Sequence, residues 1–226
     1  MKSEIGKTYL NGIPHGENEI SFQHPAMKGS YGNVAQEIKS LGLKNPNSSE
    51  TASLVYDAFQ NKEGKFESEI INILENNGLW EFTGNLYLPK GKGDFQNGVI
   101  LQHNPNVENG RIVMNKNSLV KKLEDKDSNV KFVPFGYKIG KQTALELSKN
   151  PYIIARYREE GAEKIAKIAD EYKYDPKLWS FNSVDQEETR VSALGDYWDG
   201  DRRLHVDGDY FGEGSIGHAF GIRTAK

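Results

Sequence analysis

The sequence contains no cysteine. That excludes disulfides, thiolate metal sites, cysteine nucleophiles and iron–sulfur clusters. Long hydrophobic runs are also missing: nothing approaches the ~18 consecutive apolar residues of a membrane span. The first twelve residues, MKSEIGKTYLNG, lack the apolar segment of a secretory signal. Cytoplasmic residence is therefore the expectation, with no membrane as partner. Nor does charge of one sign dominate. Twenty-nine basic residues face 32 acidic ones, for a net charge of −3, so no global attraction to nucleic acid is expected. The lysines at 90, 92, 121, 122, 164 and 167 are dispersed and interrupted by acids, as on a solvated surface.

What is present suits a globular chain. Apolar residues make up 36% and aromatics 11% of 226 residues. The mean hydropathy of −0.70 lies on the polar side, yet the apolar residues fall in periodic clusters, unlike those of a disordered chain. A chain of this length can bury roughly 70–75% of its unfolded surface and needs no covalent staples.

The organisation reads as five blocks. Residues 1–32 are irregular and crowded with turn signals, with short strands possible at 5–10 and 19–23. Residues 33–78 are helical: Val34, Ile38 and Leu41 share a face before Gly42, Leu54, Val55, Ala58 and Phe59 form a second stripe, and Phe66, Ile70, Ile73 and Leu74 a third. Ser48 or Ser49 is the expected cap of the second helix. Residues 79–135 are mainly strands, with Asn109-Gly110 a two-residue hairpin signal and Asn117 capping a short helix. Residues 143–194 read as helical. Asn150-Pro151 supplies an N-cap followed by proline at the first helical position, Gly161 marks a kink or a break, and Ser183-Val-Asp-Gln186 is a capping box opening a last helix. A strand over 189–194 is the rival reading of that segment. Residues 196–226 are β-rich, with strands expected at 203–206 and 219–223. Together these predict a single α+β domain over 1–226, with a mostly antiparallel sheet packed against short amphipathic helices and a Gly/Asp-rich β-hairpin at the C-terminus.

Candidate chemistry concentrates in the tail. Asp196, Asp199, Asp201, Asp207, Asp209 and Glu213 are crowded with His205, His218 and six glycines. Imidazole and carboxylate are ligands that a divalent metal accepts, which makes His205, Asp207, Asp209 and His218 a candidate metal set. His205, Asp207, Glu213 and His218 are the matching catalytic candidates for a metal-dependent or acid–base hydrolase-like enzyme. In a strand, His205 and Asp207 project to one side, and Asp209 joins them only if the strand continues through Gly208. A calcium loop starting at Asp207 fails, because Phe211 cannot ligate and His218 stands where a bidentate Glu is needed.

The competing reading is a binding surface. Trp198, Asp199, Asp201 and Tyr210 set aromatic rings beside carboxylates, suited to a protein or a small polar ligand. On that reading the chain is a non-catalytic interaction or structural protein presenting an acidic-aromatic C-terminal surface. Phe220, by contrast, suits inward packing. Residues 130–147 imitate a phosphate loop, but three residues separate Gly136 from Gly140 where four are required, and Gln142 replaces the Ser or Thr that would hold magnesium. A nucleotide is not expected.

Overall fold

The computed structural model describes residues 2–4, 7–196, 202–212 and 214–223. The chain opens with strands β1 (Lys2–Glu4), β2 (Lys7–His15), β3 (Asn18–His24) and β4 (Met27–Gly29). Helices α1 (Tyr31–Ser40), α2 (Ser48–Gln60) and α3 (Lys65–Asn76) follow. Next come β5 (Leu79–Leu88), β6 (Gly98–His103), β7 (Asn106–Glu108), β8 (Arg111–Val113), α4 (Lys116–Glu124) and β9 (Val130–Pro134). The remainder comprises β10 (Gly140–Lys141), α5 (Ala144–Ser148), α6 (Pro151–Ala169), β11 (Lys177–Trp179), β12 (Glu188–Gly195), β13 (His205–Tyr210) and β14 (Gly217–Ala219).

The fold is α+β. Its main sheet runs β10-β11-β13-β12-β5-β14-β4, with β6 on the far half of β5 and β9 beyond β6. Among the described residues, β11/β13 and β14/β5 pair in parallel and the other pairs of this sheet are antiparallel.

The centre of the sheet is β5, all ten residues of which are buried. A strand covered on both faces must find two kinds of partner, because successive side chains point to opposite sides. Leu79 and Tyr87 join a large core shared with α2, α3 and α6. Trp80 and Phe82 join a second core under α1, and Leu86 and Leu88 a third under α4. Between Leu79 and Tyr87, the helix-facing positions are Glu81, Thr83 and Asn85, all buried and polar.

Local chemistry explains the helix starts. Asn47 and Glu50 form a reciprocal capping box on α2, one residue ahead of the serines expected to cap it. Thr143 and Glu146 form another on α5. The Asn150 side chain accepts from the Tyr152 amide, with Pro151 opening α6. Asn115 rather than Asn117 caps α4. The Asn109-Gly110 turn closes β7 onto β8 with φ of 50° and 79°, the doubly positive pattern of a type I′ hairpin.

Three expectations need correction. The described residues of the 1–32 block are not irregular: β2 and β3 form a long hairpin through Gly16, and Leu10, Ile13 and Phe22 bury its inner face in the main core. The Ser183–Gln186 box opens no helix. Residues 188–195 pair with β5, across a register shift between Arg190 and Ser192, and from Val191 onward with β13, so sheet pairing on both sides outweighs a local capping signal. The tail's two strands do not form a hairpin with each other, since β12 and β5 stand between β13 and β14.

The break in α6 falls at Arg158 (φ 62°, ψ 173°), not at Gly161. Gly161 serves close packing instead: a Cβ there would lie 3.3 Å from the Ser49 hydroxyl on α2.

Candidate functional site

The tail is built into the sheet by the helix-facing polar side of the core. Arg156 and Glu81 are both fully buried and form an ion pair. The same Glu81 oxygen accepts from the Tyr157 hydroxyl (3.0 Å) and the Ser48 hydroxyl (3.1 Å). Burial pushes the Glu81 carboxyl up, while Arg156, Tyr157 and Ser48 pull against that rise. Arg156 also donates to the main-chain carbonyls of Asp207 (2.9 Å) and Ala193 (3.0 Å), and its Nε donates to the Ser48 hydroxyl (3.2 Å). One side chain on α6 thus ties together β5, β12 and β13.

A second tie lies next to it. The Tyr87 hydroxyl donates to the Gly208 carbonyl (2.9 Å). The Tyr152 hydroxyl donates to Asn85 (2.7 Å), whose amide donates to Ser192 (3.0 Å). Only glycine fits at 208, because a Cβ there would stand 1.8 Å from the Tyr152 hydroxyl oxygen.

Register explains where the tail acids go. Val191 pairs with Tyr210 and Ala193 with Asp207, so three steps along β13 face two along β12. The extra residue is a β-bulge, and simple alternation through Gly208 ends there. The Asp209 amide donates to the Asp207 carboxylate (3.1 Å). Burial and the neighbouring Asp209 carboxylate hold the Asp207 carboxyl well above its ordinary range, and burial also raises Asp209.

The sequence-predicted site residues separate into three groups. His205 is enclosed in β13, where the Trp179 indole N–H donates to its Nδ1 (3.1 Å). Asp207 and Asp209 sit together, as described. His218 lies on β14, three strand spacings or ~14 Å from β13; burial and Lys28 lower its pKa. Among the described residues, no group of three His, Asp or Glu side chains is arranged to hold a metal ion. Trp198, Asp199, Asp201 and Glu213 lie outside the described residues.

Two of the side chains that the described tail exposes are large and apolar. Phe211 is 73% and Ile216 is 60% exposed, and both flank the turn between β13 and β14. The Arg190 guanidinium lies 4.1 Å from the Phe211 ring centroid, a cation–π stack. Beside it opens a cavity of about 270 Å³ whose lining includes Tyr31, Arg111, Ile112, Arg190 and Phe211. Tyr210 turns inward against Trp80 (5.5 Å between centroids), and its hydroxyl donates to Ser215 (3.0 Å). Phe220 is buried. Sequence reasoning missed Arg190 and Arg111, because neither stands within the tail that the turn helps to present.

No family model and no curated protein matches this sequence. The fold is similar to that of a solved structure described as "Accommodation of massive sequence variation in Nanoarchaeota by the C-type lectin fold". The likeness covers 88% of this chain and 98% of that one, with a TM-score of 0.59 and 16% sequence identity. The chain thus has a C-type-lectin-like fold. No described helix is long and apolar enough to cross a membrane.

Proposed function

We propose that this is a non-catalytic binding protein that presents its C-terminal acidic-aromatic surface to a protein partner. The observation that carries the reading is the exposed Phe211, stacked on Arg190 at the mouth of a small cavity, with Ile216 exposed on the same turn. Aromatic and arginine anchors beside a pocket are what interfaces use to gain affinity. Asp209 adds a carboxylate near Arg190. The solved neighbour is described as accommodating massive sequence variation; a fold with that tolerance suits a protein whose surface residues set what it binds. Among the described candidates, a hydrolase-like reading would rest on Asp207 and Asp209, since His205 is enclosed and His218 is distant.

A displayed random-peptide library selected on the protein tests this. Enriched peptides should bind the wild type by calorimetry and lose at least about tenfold in affinity to Phe211→Ala/Ile216→Ala. Leu145→Ala, which trims an exposed apolar residue elsewhere, should leave the affinity unchanged. No enrichment, or peptides indifferent to the double substitution, would overturn the reading.

A further inference from the structure

A larger cavity, of about 680 Å³, opens between β9 and α6. Its strand β9 is four strand spacings, or ~19 Å, from β13, and it shares no lining residue with the cavity beside Phe211. Phe132, Val133, Pro151, Ile154 and Ala155 give it an apolar wall. Lys131 and Arg158 also line it, with Glu159 as the one carboxylate. A volume of this size falls inside the ~300–1,000 Å³ range of small-molecule sites.

Two observations bear on the cations. First, neither Lys131 nor Arg158 is engaged in an ion pair among the described residues, so both charges are available to a ligand. Second, Arg158 has a backbone conformation that is essentially reserved for glycine (φ 62°, ψ 173°). Strain of that kind costs ~1–3 kcal/mol and concentrates where a ligand is held. Glycine would fit the break in α6 at no such cost, yet the position carries a guanidinium at the cavity's edge. The same field is felt by His103 in the cavity lining. Burial, then Arg158 and Lys131, lower its pKa to about 4 and keep the imidazole neutral. The cavity therefore pairs an apolar wall with a net positive rim.

We propose that this cavity binds an amphipathic monoanion, a medium-length apolar chain ended by a carboxylate, with the chain against Phe132, Ile154 and Ala155 and the carboxylate on Lys131 and Arg158. An uncharged chain would gain the wall alone. A cationic one would meet the rim with the wrong sign.

Decanoate, held below its micelle concentration, is the probe, with decan-1-ol and decyltrimethylammonium as comparisons, all titrated by calorimetry into the whole protein. Decanoate should bind saturably at one site, the alcohol about tenfold more weakly, and the cation not at all. Lys131→Gln/Arg158→Gln should lower decanoate affinity about tenfold and leave the alcohol unchanged. Ile154→Trp, which fills the cavity, should abolish both, with a thermal melt confirming that it folds. Absence of saturable decanoate binding would overturn the proposal. So would equal binding of the anionic and cationic chains, or a double variant that binds decanoate as the wild type does.

Discussion

The two faces of β5 solve the same problem by opposite means. On one face Trp80, Phe82, Leu86 and Leu88 are covered by α1, the β7–β8 hairpin and α4 in two apolar clusters. On the other, Glu81, Thr83 and Asn85 meet a buried arginine, tyrosines and serines from α2 and α6. The difference lies in tolerance. An apolar layer accepts swaps that conserve volume, whereas a buried polar network holds its geometry only while each group keeps its partner. The polar face is also the one that reaches the tail, through Arg156 to Asp207 and Tyr87 to Gly208. The polar face therefore fixes β13, and with β13 the turn that carries Phe211.

The contrast is sharpest at the ion pair. Arg156→Ala leaves a buried carboxylate without its partner and should cost ~3–5 kcal/mol, while Phe82→Leu on the apolar face should cost under about 1.5 kcal/mol. Urea unfolding of both variants checks the ratio. Glu81→Leu combined with Arg156→Met should be more stable than Arg156→Ala.

Next in size is the response to acid. His103 is buried with a pKa lowered to about 4, so the folded state prefers the neutral ring. That contribution is complete above the unfolded value near 6.5 and is lost as pH falls from there to about 4, a loss on the order of 3 kcal/mol. Asp207 and Asp209, with raised pKa values, act in the opposite sense: their cost is absent in acid and grows as pH rises past the ordinary carboxylate range. Stability measured from pH 7 to 4 should flatten in His103→Asn and steepen its acid fall in Asp207→Asn.

Gly208→Ala should cost ~1–3 kcal/mol by overpacking against Tyr152, and Tyr152→Phe in the same chain should add less than its own separate cost. Arg158→Gly should raise stability by about 1 kcal/mol by relieving the positive φ while weakening decanoate binding. Smallest is Phe211→Ala, which should change stability by no more than about 0.5 kcal/mol. A melt shift beyond a few degrees would mean that Phe211 is structural.

Much of the apolar framework is legible in the sequence. The stripes of α2 and α3 and the Asn-Gly hairpin carry their periods and turn chemistry in plain view, and the strand block from residue 79 is read correctly from its β-formers. The polar side is not. Arg156 sits in a helix whose arginine reads as solvent-facing, and Glu81 in a strand whose acid reads as surface; only their mutual burial gives them meaning. The capping box at Ser183 misled because pairing with β5 and β13 is invisible locally. In the tail, glycine and aspartate suggested turns around a site, whereas Gly208 is a strand residue that makes room for Tyr152, and His205 and His218 are set apart by a strand order that spacing cannot reveal. Phe211 stands in the tail sequence, but its exposure and its partner Arg190, twenty-one positions earlier, depend on the register of β12.

Amide hydrogen exchange in Glu81→Leu/Arg156→Met, an uncharged replacement of the pair, measures the central claim most directly. If Arg156 holds the tail strand in the sheet, the amides of residues 205–210 should exchange at least about tenfold faster than in the wild type, while those of β6 keep their protection. Unchanged protection in β13 would show that strand pairing alone fixes the tail, and would contradict the account.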